Sequence, residues 1–225
     1  DGRRLTADAP AMYSFRPMTR TPSPLEVHKF GGASLADPTA VRHAVAIIRG
    51  LPGPRVIVLS AMAGVTDLLL EVATRAQAGE LVPALTAAAT LRARHQAAAR
   101  TLIPAGRERQ ELLGFINAQI DELESLARGL SILRELTPRT SDFLVARGER
   151  LSARLVATAL IAGGVKAAYV DAAGLVLTDA GFGNASPDLA RTDAALRTTL
   201  GALLKRGITL LRFVLVFLTS GCSVL

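Results

Sequence analysis

Lys29-Phe30-Gly31-Gly32-Ala33-Ser34 decides how this chain is read. Leu25 to Phe30 reads as a short strand and Asp37-Pro38 as a helix start, so the two glycines occupy a strand-to-helix turn. Such a turn suits phosphate. Lacking Cβ atoms, the glycines bring bare N–H groups up to an anion and take positive φ at no cost. Lys29 at the strand end adds a mobile positive charge, and the N-terminus of the following helix adds its partial charge. The residues alone leave a second reading open, a tight turn that carries a surface lysine.

Downstream, Pro38 to Arg49 reads as a helix capped by Asp37, with Val41, Val45 and Ile48 on one stripe and Gly50 at its end. After the Leu51-Pro52-Gly53-Pro54 break, Arg55 to Ser60 is a β-branched apolar run, the mark of a strand buried on both faces of a parallel sheet. Strand, helix, strand in this order implies an α/β domain with right-handed crossovers. Ligands of open α/β sheets bind beyond the carboxyl ends of the strands, so Ser60-Ala61-Met62-Ala63-Gly64-Val65-Thr66-Asp67 should lie beside the first turn. On spacing alone, Thr66 is the N-cap of a helix over Asp67 to Ala78.

Residues 80–130 read as a helical hairpin packed on the sheet, broken at Pro104-Ala105-Gly106, with Leu112, Ile116, Ile120 and Leu123 on one stripe. Arg107, Glu108, Arg109 and Glu111 read as a solvated face. Ser141 to Ala162 is one long helix stopped by Gly163-Gly164. Inside it, Gly148 costs about 1 kcal/mol relative to alanine, which close approach of a ligand or another backbone would justify. Glu149 follows, with Ser152 on the same face. Without further context Glu149 is a surface carboxylate paired with Arg150 or Arg154. Val165 to Asp171 reads as the third strand, Thr178 to Ala185 as a polar Gly-rich loop, and Ser186-Pro187 as the start of a helix ending near Gly207.

At 225 residues, half of them apolar and a fifth charged, the chain can bury a substantial core. Its net charge of +7 comes from arginines scattered among acids, and aromatics are scarce with no tryptophan. That excludes the stacking platforms of single-strand nucleic-acid binders, so no nucleic-acid partner is expected. No stretch suggests a membrane partner either. One cysteine, Cys222, excludes an internal disulfide framework and fits a reducing cytoplasm. Residues 1–24 combine arginines and prolines without an apolar run and read as a disordered leader; Asp1 and Asp8 weigh against an organelle transit peptide.

Lys29 to Ser34 resembles the opening K-F-G-G-T-S motif of the aspartate kinases, and later stretches match that family in order. Ser60 to Asp67 resembles its S-A-M-x-G-V-T-[ND] motif, Gly148 to Ser152 its G-E-x-x-S motif, and Asp171 to Pro187 its loop before the next helix. The resemblance covers about Glu26 to Leu211. It implies an amino-acid kinase fold, an αβα sandwich with an open, mainly parallel sheet, incomplete here and carrying the helical insertion. It further implies transfer of the γ-phosphoryl of ATP, held with Mg²⁺, to the β-carboxylate of L-aspartate, in an early step of lysine, threonine and methionine biosynthesis, by a cytoplasmic homo-oligomer. In such an enzyme Lys29 would neutralise phosphate charge, Gly31 and Gly32 would present backbone donors, and Ser34 would support their loop. Ser60 and Thr66 would line the site, and Glu149 would hold the ammonium of aspartate, a charge-assisted hydrogen bond of the strong kind.

From Thr209 onward the family's glycine-rich strand and its arginine- and aspartate-bearing motif are missing; residues 212–225 read as an aberrant apolar tail, and Ile208 to Leu218 as a buried or aggregation-prone strand. Because phosphoryl transfer depends on positioning and charge neutralisation, the chain as written is expected to lack turnover. Two rivals remain: another amino-acid kinase, and a non-catalytic fragment that uses its hairpin as an interaction module.

Overall fold

The computed structural model describes residues 25–53, 55–179, 181–182, 184–205 and 209–213. The leader expected over residues 1–24, and the tail beyond Phe213, lie outside the described residues. Four parallel strands make the sheet: β1 (Glu26–Phe30), β2 (Arg55–Leu59), β3 (Ala167–Val170) and β4 (Thr209–Phe213), in the order β1-β2-β4-β3. β4 lies between β2 and β3, with Leu210 opposite both Val56 and Ala168. β4 spans Thr209–Phe213.

Alternation along β2 sends Ile57 and Leu59 to one face and Val56 to the other. The first face is covered by α1 (Pro38–Gly50) and α5 (Pro138–Ala162), the second by α6 (Leu189–Lys205), whose Leu196, Leu200 and Leu203 meet Val56, Ala168 and Val170. Helices thus lie on both faces, unevenly. α5 is buried around most of its circumference from Leu144 to Leu160, because it has the sheet on one side and a helical layer on the other. Its long apolar run is that of a central helix and not of an amphipathic surface one.

The outer layer consists of α2 (Val65–Gln77), α3 (Leu81–Leu102) and α4 (Arg107–Leu133). Leu112, Ile116, Ile120 and Leu123 are at most 1% exposed, as their spacing predicted; burying each is worth about 1.5–3 kcal/mol. The α3–α4 hairpin does not rest directly on the sheet, however. It packs chiefly on α2 and α5, since α5 already occupies the sheet face. Fully buried Arg147 of α5 ties the layers by pairing with Glu122 of α4 at 3.1 Å and stacking on Phe143, 4.4 Å from the ring centre. Arg107 and Glu111 form an exposed 2.7 Å pair, the solvated face expected there.

Helix starts differ from expectation where local caps decide them. α5 begins at Pro138 because the Thr137 hydroxyl accepts the Thr140 amide at 3.2 Å. α6 begins at Leu189, since Pro187 bridges to Thr178 and the Asp188 carboxylate takes the Arg191 amide instead.

Candidate functional site

A cavity of about 250 Å³ opens at the carboxyl ends of β1 and β2, lined by Gly32, Ser60, Ala61, Met62, Ala63, Gly64, Thr66, Val145 and Glu149. Three stretches far apart in the chain meet here, and parallel pairing brings the first two together. Phe30 faces Leu59 in register, and the Ser60 amide donates to the Phe30 carbonyl at 3.0 Å, so both loops leave the sheet side by side.

Helix α5 supplies the third wall. A Cβ at Gly148 would lie 2.7 Å from Cβ of Ala61, 3.1 Å from Val65 and 3.3 Å from Leu69. The mid-helix glycine therefore exists to let α5 close on the second loop and the start of α2. Four residues on, the Ser152 hydroxyl donates to the Ser60 carbonyl at 2.7 Å and fixes the end of β2 to the helix. Gly32 closes the remaining side, since a Cβ there would come within 3.2 Å of the Ala61 carbonyl oxygen.

Seated between Gly148 and Ser152, Glu149 is only 6% exposed. Its expected surface pairing with Arg150 or Arg154 is not what the structure contains. Arg150 pairs with Asp171 at 3.2 Å, and Arg154 lies over the Phe115 and Tyr169 rings, 5.6 Å from each. Burial pushes the Glu149 carboxyl up to about 7, with backbone hydrogen bonds, including one from Ala61, opposing the shift in part. A carboxyl poised in this way takes its charge readily when a cation arrives.

Thr66 lines the cavity from the first turn of α2, two positions inside the helix where the N-cap was expected. The cap of α2 is Gly64 at φ +72°, a left-handed conformation that favours glycine, and no side chain caps that helix end. At α1 the situation is reversed: the Asp37 carboxylate accepts the Thr39 and Ala40 amides at 2.8 and 2.9 Å. The helix that follows the first glycine turn thus has an acidic side chain on its own N-terminus, and the open helix end belongs to the second loop. Nor does the first turn use positive φ. Gly31 is extended at φ −77°, and Gly32 begins a short 3-10 helix to Leu35, with the Ser34 amide bonded to the Gly31 carbonyl at 3.0 Å.

Of the residues the sequence singled out, Gly32, Ser60, Thr66 and Glu149 share the cavity wall. Lys29, Gly31 and Ser34 are not part of that lining. Lys29 is exposed on β1 opposite Val58, on the strand face shared with exposed Val27, and Ser34 is exposed on the 3-10 turn. Sequence reasoning missed the anchoring role of Ser152 and the contribution of Arg94, whose Nη2 donates to the Ala63 carbonyl at 2.9 Å from α3. The small residues Ala63-Gly64 were the available signal, since a turn without side chains of its own to bury is held from outside.

The class is now defined by a parallel sheet whose first two strand ends carry glycine-containing loops, closed by a helix bearing a buried Gly-Glu pair. The amino acid kinase family model matches residues 24–211, and the chain belongs to that family. Aspartokinases are among its similar relatives. It is 32% identical over 173 residues to lysine-sensitive aspartokinase 3 of Escherichia coli, covering 75% of this chain and 35% of the relative. It is 29% identical to the chloroplastic bifunctional aspartokinase/homoserine dehydrogenase 2 of Zea mays, covering 76% of this chain and 19% of the relative. The crystal structure of E. coli aspartokinase III with aspartate and ADP superposes with a TM-score of 0.73 at 28% identity, over 84% of this chain and 40% of that one. The chain thus spans about a third or less of the length of these two curated relatives. No helix among the described residues is long and apolar enough to cross a membrane.

Proposed function

We propose that these residues form the amino-acid-binding part of an aspartate kinase, in which Glu149 receives the ammonium group of L-aspartate. The observation that carries this reading is the buried Glu149 carboxyl on the wall of a small cavity shared with Ser60 and Thr66. The cavity suits an amino acid better than a nucleotide, because its 250 Å³ falls below the roughly 300–1,000 Å³ of sites that enclose drug-sized ligands. Binding at Glu149 exchanges a proton for a charge-assisted hydrogen bond: the carboxyl releases its proton to solvent, and the resulting carboxylate accepts from the ammonium.

The phosphoryl donor in this reading is ATP with Mg²⁺, approaching from the side of the first glycine turn. Lys29 would meet its phosphate charge there, with Gly31 and Gly32 offering amides and Ser34 bracing the turn. Ser60 would stand between donor and acceptor. In this reading the magnesium would be carried by the nucleotide phosphates. The chemistry such a complex supplies is neutralisation of charge on the transferring phosphoryl group.

Isothermal titration of the chain with L-aspartate tests the reading, with N-acetyl-L-aspartate, which lacks the ammonium, as the control. We expect heat from the amino acid and none from the acetylated analogue. Equal binding of both would remove Glu149 from its role, and preference for glutamate or another amino acid would move the chain to a sibling kinase.

A further inference from the structure

The loop from Ser60 to Thr66 carries four of the positions that line the cavity between its two ends; Met62 and Val65 anchor it in the core at 3% and 0% exposure, but Ala63-Gly64 between them has no side chain with which to hold itself in place. Ser152 grips its beginning, and Gly148 and Gly32 allow close packing on Ala61. The outer half, Ala63-Gly64, is exposed and turns through a left-handed φ of +72°. A peptide next to such a residue can reorient unless something fixes its carbonyl.

Arg94 does so from the helical insertion. Its Nη2 donates to the Ala63 carbonyl at 2.9 Å, and its Nη1 stands 3.6 Å from where a Gly64 Cβ would be. Neighbouring polar groups on α3 are engaged elsewhere. Arg92 binds Asp121 and Glu124 of α4, each at 2.8 Å, and His95 is buried with Nδ1 on the Leu91 carbonyl at 2.8 Å. In a trans peptide the N–H points opposite to the C=O, so a carbonyl held on the hairpin side turns the Gly64 amide away from the hairpin.

We propose that Arg94 is a positioning residue for the amino-acid site: it fixes the Ala63-Gly64 peptide and thereby keeps the loop in its ligand-receiving shape. The inference rests on the reading of the cavity as an amino-acid site, and it gives the hairpin a task beyond packing. Beside the packing of α3 on α2, this guanidinium gives α3 a direct polar link to the cavity wall.

Amide hydrogen exchange on the full chain, followed residue by residue by NMR, tests it in the wild type and in Arg94→Met, Arg94→Lys and Arg92→Met. Methionine keeps an apolar stem and removes the donors, whereas lysine retains one. We expect Arg94→Met to speed exchange at residues 63–66 about five- to tenfold, as loss of one hydrogen bond would, and to weaken L-aspartate binding by a similar factor. Arg94→Lys should restore most of both. Arg92→Met, which cuts the α3–α4 pairing alone, should leave residues 63–66 within twofold of the wild type. Unchanged loop exchange in Arg94→Met, no rescue by lysine, or an equal effect of Arg92→Met would overturn the proposal. Were Arg94→Met to unfold the chain, Arg94→Gln, too short to reach the Ala63 carbonyl, carries the same comparison. If the wild type ignores L-aspartate while Arg94→Met still loosens the loop, the amino-acid reading fails and the tether stands.

Discussion

Two glycine-containing loops leave neighbouring strand ends, and they are built in opposite ways. The loop after β1 carries the more recognisable letters, Lys29 to Ser34, yet Lys29, Ala33 and Ser34 are exposed and it contributes only Gly32 to the cavity lining. The loop after β2 looks plain in sequence but is gripped by Ser152, Arg94 and the close approach of Gly148, and it makes most of the cavity wall. The difference teaches where binding energy is prearranged. In the proposed reading an amino acid would meet a finished surface on the β2 side, whereas a polyanion on the β1 side would meet an exposed lysine and an accessible turn. Rigid walls suit a small ligand that must be held in one orientation, and open ones suit a larger cosubstrate that brings its own counter-ion.

The contrast can be broken by substitution. Glu149→Gln should have the largest effect, weakening L-aspartate about 10- to 100-fold in a calorimetric titration, since a hydrogen bond to a charged group is worth roughly 1.5–3 kcal/mol. Lys29→Met should leave that same titration within about twofold, because Lys29 is no part of the wall. Next comes Gly148→Ala, which forces a methyl group to 2.7 Å from Ala61 Cβ. Overpacking of this kind costs about 1–3 kcal/mol, and the melting temperature should fall by several degrees.

A third test uses pH. With its folded carboxyl at about 7 and its unfolded one in the ordinary range, Glu149 contributes stability that is fully present below the unfolded value and is lost as pH rises through about 7. Glu149→Gln removes this loss. The variant should therefore gain on the wild type between pH 4 and pH 8, by roughly 1–3 kcal/mol in urea denaturation. A stability difference that stays constant over this range would mean that the carboxyl is not held neutral by burial. The smallest effect belongs to the first turn. Gly31→Ala meets nothing within 4 Å at φ −77° and should change stability by less than about 0.5 kcal/mol, while Gly32→Ala, 3.2 Å from the Ala61 carbonyl, should be measurably worse.

Much of this architecture was legible in the sequence because the informative signals were local. The β-branched run at Arg55 to Leu59, the stripe Leu112-Ile116-Ile120-Leu123 and the Asp37-Pro38 cap each settle an element within a few residues. The anomalous Gly148 was legible too, as a demand for close approach, although only coordinates reveal that Ala61, Val65 and Leu69 make the demand. What escaped depends on contacts between distant elements. Without the family resemblance Glu149 reads as a surface acid, because nothing nearby in the chain announces that α5 is enclosed on both sides. Arg94 looked like one more arginine on a charged helix, and the free amino end of α2 was credited to α1, whose own Asp37 occupies it.

The account depends most on the state of a single carboxyl group. Labelling Glu149 at Cδ with ¹³C and following its resonance from pH 4 to pH 9, with and without L-aspartate, tests that state directly. The account predicts a midpoint near 7 in the free chain, moving to lower pH once the amino acid is bound. A midpoint in the ordinary carboxylate range for the free chain, or one that L-aspartate leaves in place, would contradict it.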